Sequence, residues 1–450
     1  MAMMLRDLQS GGRSGVDAAS SRPRKHRCIR AAALTLSLSL FTISAHTVAA
    51  GPVPVPTTTV RAIAFSHDAN LLWLAGRLFL LGIPALVLFT GLAGRLRSKL
   101  AGLVRGSRFW TVTGCALAYL ALFTLSFLPL EYVLRRVLIG YGLSAQTTGQ
   151  WLTEQGSELA LRAVIVVLVA WIPYWLLARS RRHWWLWSGL SLLPVVALLF
   201  VLQPLWIDPM FHTYKPLEDV RLQQMITRLA ARGGLGDVPI LQSDGDGTDS
   251  CGVACVTGLG PSRRIVISDT AAAHYSEREI ASIVGHEMKH YVKDDNVKAF
   301  FIVSVLLLAG LWLTHRLGGA MVARWSRRFG IRDLADPASV PLLVLCLTLV
   351  YVIADPAFLA YARHVELEAD RFGLEITEDN EAAATTLVKD AQLAPIAPDP
   401  GWFASVFREN HPSIAQRIEF ANTYHPWLDG RPLVYGGQFA KPQAHPARAE

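Results

Sequence analysis

Residues 276–290 read SEREIASIVGHEMKH, and the last five are His286, Glu287, Met288, Lys289 and His290. Two histidines four residues apart on a helix project from one face, about one turn from each other. Both imidazoles can therefore meet a single metal ion. Glu287 follows the first histidine, where its carboxylate can reach a water on that ion and take its proton. The spacing points to zinc-assisted hydrolysis of an amide bond, with one Zn2+ per chain. Ser276 and Glu279 have the spacing of a capping box. Ile280, Ile283 and Val284 give the helix a buried side, and polar groups carried into that setting are satisfied if they hold a metal.

The motif supplies two protein ligands, whereas a catalytic zinc takes three and keeps a position for water. The third is sought in the stretch Ala362–Asp370, ARHVELEAD. Glu366 and Asp370 are four apart and share a helix face, while Glu368 points elsewhere. Glu366 is the expected third ligand. Asp370, one turn on, is placed to hold a ligand histidine by its free ring N–H. His364 is a rival ligand, and a solvated charged helix is the alternative for the whole stretch. Arg363 is expected to pair with Asp370 or with a substrate carboxylate, and Arg417 is read as structural.

The HExxH motif followed by RxxExxxD resembles the integral-membrane zinc peptidases that include the type I CAAX prenyl endopeptidases and the HtpX proteases. Further motifs carry the resemblance over about residues 105–425. Pro129, Tyr132 and the run Gly142-Leu143-Ser144-Ala145-Gln146-Thr147 resemble the prenyl-protease N-terminal domain. Asp208-Pro209-Met210-Phe211 leading to Pro216-Leu217-Glu218-Asp219 resembles its entry into the catalytic domain. Val256-Thr257-Gly258 and the run from Arg264 to Thr270 resemble its hairpin, and His411-Pro412 with Arg417-Ile418 its ending. The resemblance implies that His411 donates a hydrogen bond to the developing oxyanion; the alternative is a loop residue before Pro412. It also implies that an extended peptide lies along the strand at Val253 and Ala254. There the family usually carries an Asn-Ala pair. The asparagine contact is lost here, so substrate choice is expected to differ from that of a true CAAX protease.

Composition points to a membrane protein, with 52% hydrophobic and only 17% charged residues, below the usual quarter for soluble domains. Apolar segments near 70–94, 109–131, 159–178, 184–207, 297–317 and 339–360 are each long enough to span a bilayer. Arg77 and Arg162 interrupt two of them, as interfacial side chains or as residues facing an internal aqueous space. Basic residues near Arg24 precede an apolar run at 31–50, which reads as a signal peptide cleaved after Ala50 or as a further membrane helix. Thirteen Lys and Arg residues in and beside the loops at 95–108, 179–183 and 318–338 stand against Arg61, Arg135 and Arg136 in the alternate loops. The basic loops are therefore expected in the cytoplasm, and the zinc domain on the opposite, periplasmic side of a bacterial inner membrane. The family resemblance implies a site open to the cytosol instead. The net charge of +8 follows the membrane, and no nucleic-acid motif accompanies it.

The expected fold is mainly α, a polytopic membrane helix bundle with a small α+β zincin-like catalytic domain. Its divisions are a basic start with signal or first helix at 1–50, a four-helix membrane domain at 70–207, a zinc domain at 208–425 and a disordered tail at 426–450. Within the zinc domain, a helix is expected at 217–232, a strand at 238–241 and a hairpin from 253–258 and 264–268. The HExxH helix is expected to run on into the segment at 297. Asp244–Asp249 resembles half a calcium loop and is read as a solvated turn. Cys251 and Cys255 are either reduced or joined in a disulfide. The expected activity is a membrane zinc metalloendopeptidase acting on a peptide or protein, lipidated or membrane-bound, beside the lipid bilayer. An HtpX-like quality-control protease and a non-hydrolytic zinc-containing scaffold or chaperone are the alternatives.

Overall fold

The computed structural model describes residues 51–439 apart from 208, 210–211, 245–252 and 259. The expected signal segment at 31–50, Cys251 and most of the calcium-like loop lie outside the described residues. Six described helices are long and apolar enough to cross a membrane: Val60–Phe89, Arg108–Gly140, Thr148–Arg179, Trp184–Trp206, Asp295–Phe329 and Pro337–Thr377. The fold is thus the expected helical membrane bundle with a small sheet-containing domain.

Several helices run beyond the expected bounds, and two of the departures bear on the architecture. The first starts at Val60, where the Thr59 side chain caps Ala62 N, and ends at Phe89. Residues beyond it form a separate short helix, Leu92–Leu103. The last is continuous from Val340 to Thr377, 38 residues passing through Pro356. The membrane segment read at 339–360 and the stretch bearing Glu366 are therefore one continuous helix.

Contacts between loops establish which ends of the helices lie together. On one face Arg97 pairs with Asp336 at 3.1 Å, Arg108 donates to the Ala335 carbonyl at 3.1 Å, and Arg181 pairs with Asp333 at 3.3 Å. On the other, Val53 exchanges two hydrogen bonds with Asn422, and the Tyr141 hydroxyl donates to Asp68 at 2.9 Å. The three basic loops thus share one face, and the catalytic domain with both described chain ends occupies the other. Arg77 lies inside the bundle, 5% exposed. It pairs with Asp355 at 2.5 Å and packs over the Trp73 and Tyr351 rings. Arg162 pairs with Glu158 one turn away.

The catalytic domain holds a four-stranded sheet in the order β1-β2-β4-β3, built from Tyr214–Pro216 (β1), Ile240–Ser243 (β2), Ala254–Thr257 (β3) and Arg264–Ser268 (β4). The hairpin expected from sequence is present as antiparallel β3 and β4, with Ala254 opposite Ile267 and Thr257 opposite Arg264. β2 runs parallel to β4. β3 is therefore an edge strand with one backbone side unpaired within the sheet. Beneath the sheet, Val220–Arg232 forms an amphipathic helix, burying Leu222, Ile226 and Leu229 on one side. These pack with Ile265, Ile267, Ile280, Val284, Met288 and Phe372.

The region read as an unstructured tail from 426 is partly built into the domain. The backbone N–H groups of Val434 and Tyr435 donate to the buried Glu375 carboxylate at 2.8 and 2.7 Å. The Tyr435 hydroxyl donates to Glu368 at 2.6 Å. A fully buried carboxylate needs such donors, and the chain end supplies them. Residues 440–450 lie outside the described residues.

Candidate metal centre

The HExxH motif lies on the helix Glu277–Val292, which opens with the Ser276–Glu279 capping box. This helix does not run on. Lys293 ends it, and Asp294 takes a left-handed conformation at φ 52° before the next helix begins at Asp295, a conformation Asp tolerates better than most residues. The break folds Asp295 back toward the motif.

His286, His290 and Glu366 each offer a ligand atom, and these atoms lie within 4.8 Å of one another. His286 Nε2 stands 3.4 Å from His290 Nε2 and 3.1 Å from Glu366 Oε2. His290 Nε2 lies 3.8 Å from Glu366 Oε1. Each histidine gives its other ring nitrogen to a carboxylate, His286 Nδ1 to Asp370 at 2.9 Å and His290 Nδ1 to Asp295 at 3.1 Å. That arrangement assigns the ring proton to Nδ1 and turns both Nε2 lone pairs to one point. Two lone pairs and a carboxylate facing each other have no shared proton donor, so this donor set suits a cation. The Asp370 and Glu366 carboxylates both bear on His286, and a positive ion at the shared point would answer their field.

Glu287 is half-buried beside this cluster, and desolvation pushes its carboxyl up against the opposing influence of His286 and His290. It lines a cavity of about 400 Å3 together with Val253, Ala254, His286 and His411. The His411 Nε2 lies 3.1 Å from Glu366 Oε2, and its Nδ1 lies 2.9 Å from Asn410 Oδ1. His286, Glu287, Asp370, His411, Val253 and Ala254 thus line one cavity, and His290 and Glu366 meet His286 beside it.

Other expectations are corrected. Arg363 does not pair with Asp370; it donates to the Glu409 carbonyl at 2.8 Å. Arg417 takes that place with two bonds to Asp370, 2.8 and 2.7 Å. His364 is exposed and is not part of the ligand cluster. Glu368 faces Tyr435 and Arg371. Asp295 was not foreseen, because a helix continuing through 294 would carry it away from His290. Cys255 is disulfide-bonded.

Family models match two adjoining stretches of the chain. Residues 216–425 match peptidase family M48, and residues 60–213 match the CAAX prenyl protease N-terminal domain, described as five membrane helices. The uncharacterized metalloprotease YhfN of Bacillus subtilis is 30% identical over 353 residues, 76% of this chain and 82% of that protein. CAAX prenyl protease 1 of Saccharomyces cerevisiae is 32% identical over 185 residues, 40% of this chain and 40% of that protein. A protease HtpX homologue of Paraburkholderia phytofirmans is 27% identical over 229 residues, 50% of this chain and 70% of that protein. The crystal structure of S. mikatae Ste24p superposes with a TM-score of 0.64 and 21% identity, covering 80% of this chain and 88% of that one. That last likeness is one of fold.

Proposed function

Because the chain belongs to peptidase family M48, as a multi-pass membrane metalloprotease resembling the CAAX prenyl proteases, we propose that it is a zinc endopeptidase whose site is His286, His290 and Glu366 with Glu287 as general base. The observation that carries this reading is the convergence of three ligand atoms within 4.8 Å beside the half-buried Glu287 carboxylate, which lines a cavity together with His286. When bound, zinc supplies Lewis acidity and makes water a nucleophile near neutral pH.

The chain's own residues do the rest. An extended peptide pairs with the outer edge of β3 from Ala254 onward, next to Val253, whose carbonyl is held by Ser268; the outward backbone groups of such an edge accept a further strand. Glu287 takes the proton of the attacking water and delivers it to the leaving amine. His411 donates to the developing oxyanion from the cavity wall. Asp370 and Asp295 hold the two imidazoles in their ligating tautomer.

The substrate is a peptide segment held at or in a membrane. The matched segment spans less than half of the yeast prenyl protease, and Val253-Ala254 stands where that branch usually carries Asn-Ala, so we infer a specificity distinct from CAAX processing. The match to an HtpX homologue supports a second reading, cleavage of misfolded membrane proteins. The charge asymmetry of the loops favours a periplasmic site, and a disulfide at Cys255 suits that compartment.

Hydrolysis of a peptide library by the purified protein, with and without a lipid group on the peptides, tests the assignment. Glu287→Gln keeps its volume but cannot accept a proton, so it should bind zinc normally and lose about 10²–10⁴-fold in rate. Near-normal turnover in zinc-loaded Glu287→Gln would sink the mechanism.

A further inference from the structure

We propose that Lys289, one of the two unspecified positions of the HExxH motif, is a positioning residue for the metal, acting through Asp295 on His290 and through the Val365 carbonyl on the turn that carries Glu366. The inference rests on the zinc site proposed above.

The two ligand histidines are backed in the same way. Behind His286 stands Asp370, and behind Asp370 the guanidinium of Arg417. Behind His290 stands Asp295, whose Oδ2 accepts both His290 Nδ1 at 3.1 Å and Lys289 Nζ at 2.7 Å. Each imidazole is thus held by a carboxylate that is itself held by a cation.

Lys289 neighbours His290 in sequence, and on a helix surface it would be a solvated charge. Here its side chain is only 5% exposed. A buried ammonium is costly unless paired and hydrogen-bonded, and this one has two partners. The second is the Val365 carbonyl at 2.8 Å, one residue before Glu366. Lys289 therefore joins the HExxH helix, the start of the helix Asp295–Phe329 and the long helix that brings the third ligand. Lys298 also approaches Asp295, at 3.5 Å, but its side chain is 55% exposed, so water screens it and it holds the carboxylate less firmly. Without Lys289, the Asp295 carboxylate loses its buried counter-charge and its fixed direction toward His290.

Partners that orient a ligand histidine typically change metal affinity about 10–100-fold. The test is zinc affinity of the full-length protein in detergent, measured by chelator competition, with the thermal midpoint of the zinc-free protein measured alongside. Lys289→Met should weaken zinc binding by that factor while the zinc-free protein stays folded. Asp295→Asn, which changes no volume, should do the same and carries the test if Lys289→Met fails to fold. The double variant should bind no more weakly than the weaker single variant, since the two residues act in one chain. Unchanged zinc affinity in Asp295→Asn, or in folded Lys289→Met, overturns the inference and leaves Lys289 a staple of the helix break. Fully additive losses overturn it too. If wild type binds no stoichiometric zinc, or Glu366→Ala retains it, the zinc assignment fails and this inference with it. That outcome is distinct from wild-type binding with unchanged variants.

Discussion

A Cβ placed on Gly373 would stand 3.0 Å from the backbone nitrogen of His286. The long helix and the HExxH helix thus touch backbone to backbone at the residue that opens the motif. Gly285 makes the reciprocal approach, its hypothetical Cβ lying 3.3 Å from Gly373 Cα. A side chain at either position would be tighter than an ordinary contact, and this close crossing helps set how far Glu366 and Asp370 stand from His286. Gly373→Ala should force the helices apart, cost about 1–3 kcal/mol as overpacking does, and weaken zinc binding. Thermal unfolding and chelator competition on the same preparation check both effects; a normal zinc affinity would show that the crossing does not set the site.

Removing the third ligand should separate two neighbouring glutamates. Metal analysis of Glu366→Ala should show strong loss of zinc. Glu368→Ala should keep it, because Glu368 faces Tyr435 and Arg371. The reverse result would mean that the face of the long helix has been misassigned.

Acid should loosen the start of the HExxH helix. Burial alone would raise the Glu279 carboxyl, but the Lys389 ammonium at 2.5 Å and the Ser276 cap outweigh it and hold it below the usual carboxylate range. A carboxyl lowered on folding stabilises the native state above its unfolded pKa, about 4.3 for Glu, and that contribution is lost as pH falls through the folded value. Wild type should therefore be more stable than Glu279→Gln at pH 7, with the gap closing below about pH 4. A gap that persists at pH 3 would remove Glu279 as the cause.

Reporter fusions should resolve the orientation. Alkaline phosphatase joined after Gly236 or Glu450 should be active, and a fusion within 95–108 inactive, if the basic face is cytoplasmic. The opposite pattern would put the site in the cytosol, as the family resemblance implies. Either way the fusions at Gly236 and within 95–108 should disagree with each other, since those residues lie on opposite faces of the bundle.

The clustering of His286, His290 and Glu366 was legible because its information is local. HExxH and ExxxD are spacings on a helix, and helix geometry converts spacing into a shared face. The six spans were legible for a similar reason, since length and apolarity suffice to mark them. What escaped depends on contacts between distant residues. Asp295 reaches His290 only because Asp294 turns left-handed, and nothing in the apolar pattern marks that turn. Arg417 was chosen over Arg363 by a helix that packs in from outside the motif. The end segment at 434–435 has the composition of a loop, yet it answers a buried glutamate sixty residues earlier. The Gly285–Gly373 approach is a property of two helices together and has no signature in either alone.

The unbroken helix from Val340 to Thr377 makes the molecule a ruler. Asp355, paired with Arg77 inside the bundle, precedes Glu366 by eleven residues, a rise of about 16 Å at the α-helical pitch. The height of the proposed metal site above that buried ion pair is therefore set by one continuous helix. For a substrate tethered in lipid, the distance from its anchor to the cleaved bond must match that height. Thickening the bilayer with longer acyl chains should shift cleavage along a tethered peptide and leave a free peptide unaffected, which product mapping in nanodiscs can read. An identical cleavage position at every thickness would mean that the rod and the lipid surface are not in register.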